Sequence, residues 1–236
     1  MLSVVIIARD AAESLSASLK SVRQLADEIV VVVDDRTCDE TALLAKSFGA
    51  KVYIRKFDNF AGQKNYAAAK ARGEWVLALD ADERVSPRLA DEIKRVLPNT
   101  DKTAFKIPRL NYIFGKPVYH TNWEPSADNH IWLWKKDYGR WVGAVHEEVV
   151  FEGKVGQLSG FKLHNSYKTV EEFMTKMNDY TSRETQATNP FFDFFRRYVW
   201  HAGWRDGWQG LFLSYLQAIS HTAVWVKLWE KKKLPF

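Results

Sequence analysis

The sequence has a single cysteine, Cys38, so it can build neither a disulfide framework nor a cysteine zinc cluster, which fits a reducing cytosol. It contains no G-x-x-x-x-G-K-[ST] loop and no G-x-G-x-x-G turn, which excludes two of the commonest backbone cradles for phosphate. No apolar run reaches the roughly 18 uninterrupted residues of a membrane span. The amino terminus enters a strand-type segment at once, Leu2 to Ala8, without the basic and then apolar order of a signal peptide, so export by that route is not expected. No low-complexity linker interrupts the chain, so one folded unit is expected, with a boundary near 168 between a core and a tail.

What the sequence does contain is enough apolar residue, 46% of 236, for a full core. Strand-type runs at 3–9, 28–35, 51–57 and 74–83 alternate with helical patterns at 12–25, 40–48, 61–72 and 87–97. The strands are apolar throughout, as strands buried on both faces are, so the fold class is α/β with a mostly parallel sheet of βαβ units. Ligands bind such sheets beyond the carboxyl ends of the strands. Arg9-Asp10 follows the first strand, Asp34-Asp35 ends the second and Asp80-Ala81-Asp82 ends the fourth, so three polar clusters converge on one edge.

Carboxylates at the tip of a buried strand are costly unless compensated. A Mg²⁺ or Mn²⁺ ion would compensate them, since such ions are held by one or two carboxylates plus substrate phosphates. The competing reading is that Asp82 caps the helix beginning near Ser86-Pro87. With the backbone phosphate loops missing, phosphate would be handled by a metal and by basic side chains.

The segments "SVVIIARD", "VVVDDRTCDET", "QKNYAAAKARGEWVLALDADE" and "GWRDGWQGLFLSYLQAISHTAVWVKLWE" resemble the family 2 glycosyltransferases, specifically the bacterial lipopolysaccharide core heptosyl β-glucosyltransferase group. The resemblance implies a GT-A fold over 1–168, with a nucleotide-sugar half at 1–100 and an acceptor half at 101–168, and a helical extension at 169–236. It implies that Asp35, with Asp34 competing, receives a uracil N–H, and that Asp82 binds the metal. Asp80 would meet ribose or metal, and Lys64 would meet uridine or phosphate beside Asn65. Arg9 joins this donor edge. The chain departs from the family turn D-G/S-S-T-D by writing Asp35-Arg36-Thr37-Cys38-Asp39, which leaves the shape of that turn open.

Inverting transfer needs a base for the acceptor hydroxyl. Glu147, in a Val-His-Glu that also supplies His146, is the first candidate, and Asp128, in "WEPSADNHIWLW", the second. Trp132 stands where the resembling enzymes carry an arginine. His164 resembles a later family histidine that approaches the metal or diphosphate.

Between Asn189 and Trp229 aromatics crowd together with Arg196, Arg197, Arg205 and Lys227, and Lys231-Lys232-Lys233 follow. Trp200, Trp204 and Trp208 recur every four residues and would share a face if one helix ran through Gly203 and Gly207. Two readings stand level: helices lying on an anionic bilayer, with aromatics at the headgroup level and cations toward lipid phosphates, and a helical lid on the sheet. The expected activity is metal-dependent, inverting transfer of a hexose, glucose from UDP-glucose, to a heptose of the lipopolysaccharide inner core at the cytoplasmic membrane face. The rivals are a polyprenyl phosphate or capsule glycan as acceptor, and a non-catalytic nucleotide-sugar-binding protein. The net charge of +5 alone suggests nucleic acid, and no nucleic-acid module accompanies it.

Overall fold

The computed structural model describes residues 1–143, 147–186 and 188–233. They fall into two compact units, Met1–Arg109 with Asn129–His164, and Leu110–Asp128 with Asn165–Phe236. Residues 110–128 thus join the later part of the chain, a placement with no signature in the sequence pattern.

The first unit opens with β1 (Leu2–Ala8), α1 (Ala12–Val22), β2 (Glu28–Asp34), α2 (Thr41–Ser47), β3 (Lys51–Arg55), α3 (Phe60–Lys70) and β4 (Trp75–Asp80). The strands lie in the order β3-β2-β1-β4, all parallel, with Ala8 opposite Val33, Asp34 opposite Arg55 and Ile7 opposite Asp80. That register brings the ends of all four strands level. Val4, Ile6, Val30 to Val32, Val76 and Leu77 are fully buried, as the uniformly apolar runs require. Leu15, Leu19 and Val22 of α1 recur at helical spacing and are also buried.

A short β5 (Glu83–Val85) follows the acid turn and leads into α4 (Pro87–Val96). The cap of α4 is Ser86, whose hydroxyl accepts from Leu89 N–H, with Pro87 at the first helical position. Asp82 is therefore not a helix cap. β6 (Ala104–Ile113) leaves this unit after Arg109 and forms β7 (Lys116–Pro117) as its return in the second unit, while β8 (Asn129–Lys135) runs antiparallel to both β4 and β6. β9 (Gly139–Val142) pairs with β10 (Glu148–Phe151), and β11 (Val155–Gln157) lies parallel to β6. The start of β12 (Lys162–Tyr167) pairs with β5, setting His164 opposite Glu83.

The second unit contains α5 (Val170–Arg183), α6 (Pro190–Phe195), a π turn over Arg196–Trp200, a 3₁₀ turn over Gly203–Asp206 and α7 (Gly207–Lys233). Its core gathers Ile113, Val118, Phe173 and Leu213. The three tryptophans do not share one helix. Ala202 takes a left-handed φ of 49° and Gly207 a φ of 62°, which breaks the chain twice between Trp200 and Trp208. The turn also folds tightly: a Cβ on Gly210 would stand 1.8 Å from the Gly203 carbonyl oxygen, so that position admits no side chain. Asp206 fixes the turn by accepting from His120 N–H at 3.0 Å and pairing with His120 Nδ1 at 2.8 Å.

Four of the tail cations make contacts inside the second unit. Arg196 and Arg197 both pair with Asp193, which is fully buried, and Arg197 also donates to Thr121 O at 2.9 Å. Lys227 donates to Asn178, Thr181 and Ser182, and Lys231 to Ser182 O. An α6 carboxylate and the open carbonyls at the end of α5 draw these cations into the unit's own structure.

Candidate active site

Two cavities of the first unit hold the expected donor-side residues. The smaller, about 330 Å³, is lined by Ile7, Ala8, Arg9, Asp34, Arg36, Phe57, Phe60 and Gln63. Asp34 is the carboxylate that reaches it, whereas Asp35 is exposed and donates its backbone N–H to Arg55 O. Arg36 grips Asp34 through Nε at 3.1 Å and Nη2 at 2.7 Å and holds that carboxyl well below the usual range. The unusual turn closes without the family's small residues: Thr37 N–H bonds Asp34 O, and Asp39 accepts from the N–H groups of Ala12 and Thr41. Asp10, at φ 45°, accepts from Cys38 N–H and ties the first strand end to the second.

The larger cavity, about 600 Å³, is lined among others by Lys64, Asp80, Arg109, Trp132, Trp141 and Glu147. Lys64 comes from α3, Asp80 from the end of β4 and Glu147 from the residue before β10. Lys64 Nζ sits 3.2 Å from Asp80 and 3.0 Å from Glu147, and lies 4.6 Å from the ring centre of Trp141. Burial alone would push this ammonium down, but Asp80 and Glu147 outweigh burial and raise it. Asn65, expected to face substrate, instead clamps β9: its amide accepts from Trp141 N–H at 2.9 Å and donates to Trp141 O at 2.8 Å. An amide that satisfies both backbone groups of one strand residue acts as a brace.

Of the three expected metal ligands, two meet and the third stands with Lys64. Asp80 turns to Lys64, while Asp82 faces His164 Nε2 at 3.4 Å. Among the described residues no group of three or more His, Cys, Asp or Glu side chains gathers as a complete metal centre would need. Burial works to raise the Asp82 carboxyl, but His164 overrides it and lowers it. What remains is a carboxylate oxygen and an imidazole nitrogen, a partial set that suits a cation completed by substrate oxygens. His146 lies outside the described residues. Asp128 belongs to the second unit, where Asn111 Nδ2 donates to it at 3.4 Å.

Sequence reasoning missed the support under the acid turn. Glu83 is fully buried and accepts from Asp80 N–H at 2.9 Å. Lys162 Nζ, also fully buried, stands 2.5 Å from Glu83 and 3.3 Å above the Trp132 ring centre, and Arg109 adds a contact at 3.3 Å. Burial would raise Glu83, but Lys162 and Arg109 hold it low, and burial pushes Lys162 down against the pull of Glu83. Ser18 bonds the carbonyls of Ala81 and Glu83 from α1. The signal available was "ERV" next to the acids and the lone lysine in "GFKLH", charges inside strand-type segments that require partners.

Level strand ends, an acid turn braced from below, one cavity rich in charged side chains and a second, mainly apolar one thus stand together in the first unit. The sequence profile described as Glycosyl transferase family 2 matches residues 3–143. The chain belongs to family 2 of the glycosyltransferases. An uncharacterized glycosyltransferase of Rickettsia typhi is 30% identical to this transferase over 198 residues, which are 78% of this chain and 67% of that protein. The lipopolysaccharide core biosynthesis glycosyltransferase LpsC of Rhizobium meliloti is 24% identical over 99% of this chain and 93% of its own length. The S. aureus TarS structure in complex with UDP-GlcNAc superposes with a TM-score of 0.51 at 13% identity, over 82% of this chain and 63% of TarS, and shows the shared GT-A type of fold. The transferase thus spans about two thirds of the Rickettsia protein and slightly less of TarS.

Proposed function

We propose that this family 2 glycosyltransferase transfers glucose from UDP-glucose, with inversion, to a heptose of the lipopolysaccharide inner core at the cytoplasmic membrane face. The observation that carries the reading is the meeting of Asp80, Lys64 and Glu147 around one cavity, next to a second cavity closed by Asp34 and Phe57. LpsC, named for lipopolysaccharide core biosynthesis and alike over 99% of this chain, supports the acceptor. In this reading the smaller cavity takes uracil, its N–H bonding Asp34 and its ring lying against Phe57 and Phe60, with Arg9 toward the ribose.

Asp82 and His164 would hold a Mg²⁺ or Mn²⁺ ion, assisted by Asp80. Such an ion supplies charge neutralisation of the leaving diphosphate. Lys64 supplies a second positive charge, a buried point charge already oriented by two carboxylates. Glu147 takes the proton of the acceptor hydroxyl as that oxygen bonds the sugar carbon and the bond from that carbon to diphosphate breaks. A single base opposite the leaving group gives inversion. Asp128 remains the second candidate for that base.

The test is donor binding followed by thermal melting. UDP-glucose at about 100 times its dissociation constant with Mn²⁺ should add about 2.7 kcal/mol of stability. Asp82→Asn should lose the part that depends on Mn²⁺. A chain whose melting no UDP-sugar shifts, with or without the ion, would contradict the reading.

A further inference from the structure

The surface of the second unit between Phe191 and Tyr215 is dominated by rings. Phe191, Trp200, Trp204, Trp208, Phe212 and Tyr215 are 55–78% exposed, and Phe195 at 58% joins them. Arg205 is the only exposed charged residue described in that stretch. The acids within it are turned inward: Asp193 lies fully buried against Arg196 and Arg197, and Asp206, 6% exposed at its side chain, pairs with His120. Both carboxylates of this stretch are thus turned from water, while the rings and Arg205 face it.

That combination matches one environment. Tryptophan and tyrosine rings, apolar with a polar edge, settle at the headgroup level of a bilayer, where a lone arginine finds phosphate and a carboxylate would be repelled. No helix of the described residues is long and apolar enough to cross a membrane, so contact would be made from the surface. We infer that this band inserts at the headgroup–acyl boundary of an anionic bilayer and holds the transferase there by ring burial rather than by its basic residues. The inference rests on the reading that the acceptor is lipid-anchored, and it requires no lipid contact from Arg196, Arg197 and Lys227, which pair within the second unit.

The test uses the full chain and vesicles of phosphatidylcholine with phosphatidylglycerol. Wild type should co-sediment with them at low salt and remain largely bound at about 1 M salt, where the Debye length is only about 3 Å. The triple variant Phe191→Ser, Trp200→Ser, Trp208→Ser should keep its melting temperature, since these rings are exposed, and lose about 100-fold in vesicle partition through the lost apolar contact. Should it melt lower, the single variants Phe191→Ser and Trp208→Ser carry the same comparison, each with a loss of about fivefold. Complete release of wild type by salt, or equal partition of wild type and variants, overturns the inference. Self-association of wild type in lipid-free solution that the triple variant abolishes also overturns it, assigning the band to a second copy of the chain. Transfer to a soluble acceptor, measured on the same proteins, reports on the transferase reading alone, so its failure leaves the vesicle result standing.

Discussion

Glu83 in the first unit and Asp193 in the second are both fully buried carboxylates facing two cations, but their partners arrive differently. Glu83 meets Arg109 and Lys162, which lie 26 and 79 positions away, and Lys162 is as buried as the acid. Asp193 meets Arg196 and Arg197 at the next turn of its own helix, and Arg196 keeps 32% of its side chain in water. Glu28 extends the series: it is 3% exposed, yet its cations Lys51 and Arg72 are 38% and 68% exposed. Each acid has two lysine or arginine partners, and Asp193 also has His221 Nε2 at 3.5 Å. What differs is how far the cation is removed from water, and that sets what is left behind when the acid is deleted.

The series can be broken in order. Glu83→Leu leaves Lys162 buried without its counter-charge and removes the acceptor of Asp80 N–H, so urea unfolding should show a loss of about 3–5 kcal/mol. Adding Lys162→Met should restore a large part of it; no recovery would mean that the pair acts through geometry and not charge. Asp193→Leu should cost less, about 1–3 kcal/mol, because Arg196 can turn to solvent while Arg197 keeps Thr121 O. A greater loss there than at Glu83 would reverse the argument.

Glu28 gives the smallest effect and the one with a pH signature. Burial would raise its carboxyl, but Lys51, Ser3 and Arg72 outweigh it and lower it from 4.5 to about 2. A lowered folded value means the contribution is present above about pH 4.5 and disappears as pH falls through about 2. The melting-temperature gap between wild type and Glu28→Gln should therefore close across that window. A gap that stays constant from neutral pH to pH 2 would show that Glu28 works as an uncharged hydrogen-bonding group.

The same contrast explains what the sequence disclosed. The parallel strands were legible because runs such as "EIVVVVD" leave no face for water, and the helices begin within one residue of the helical patterns. Asp80 and Asp82 were legible because acids ending an apolar strand demand a reason. Lys162 was not, since its partner lies far away in sequence and only the β5–β12 pairing joins them. The partner of Arg196 and Arg197 was overlooked for the opposite reason. Arg196 and Arg197 look like surface charge in a basic, aromatic run, but Asp193 sits three and four residues before them, the spacing at which helical side chains meet. Asn65 shows a further limit: the residue beside the buried Lys64 serves the backbone of β9.

Glu147, held against Lys64 beside Asp80, is the base we propose for transfer from a nucleotide sugar. Single-turnover transfer to a deacylated inner-core acceptor, with donor saturating, tests it most directly. Glu147→Gln should slow the step by about 10² to 10⁴ while keeping the thermal shift given by UDP-glucose, and Asp128→Asn should be milder. Transfer at the wild-type rate in Glu147→Gln, with collapse in Asp128→Asn, would move the base to the second unit and contradict the claim.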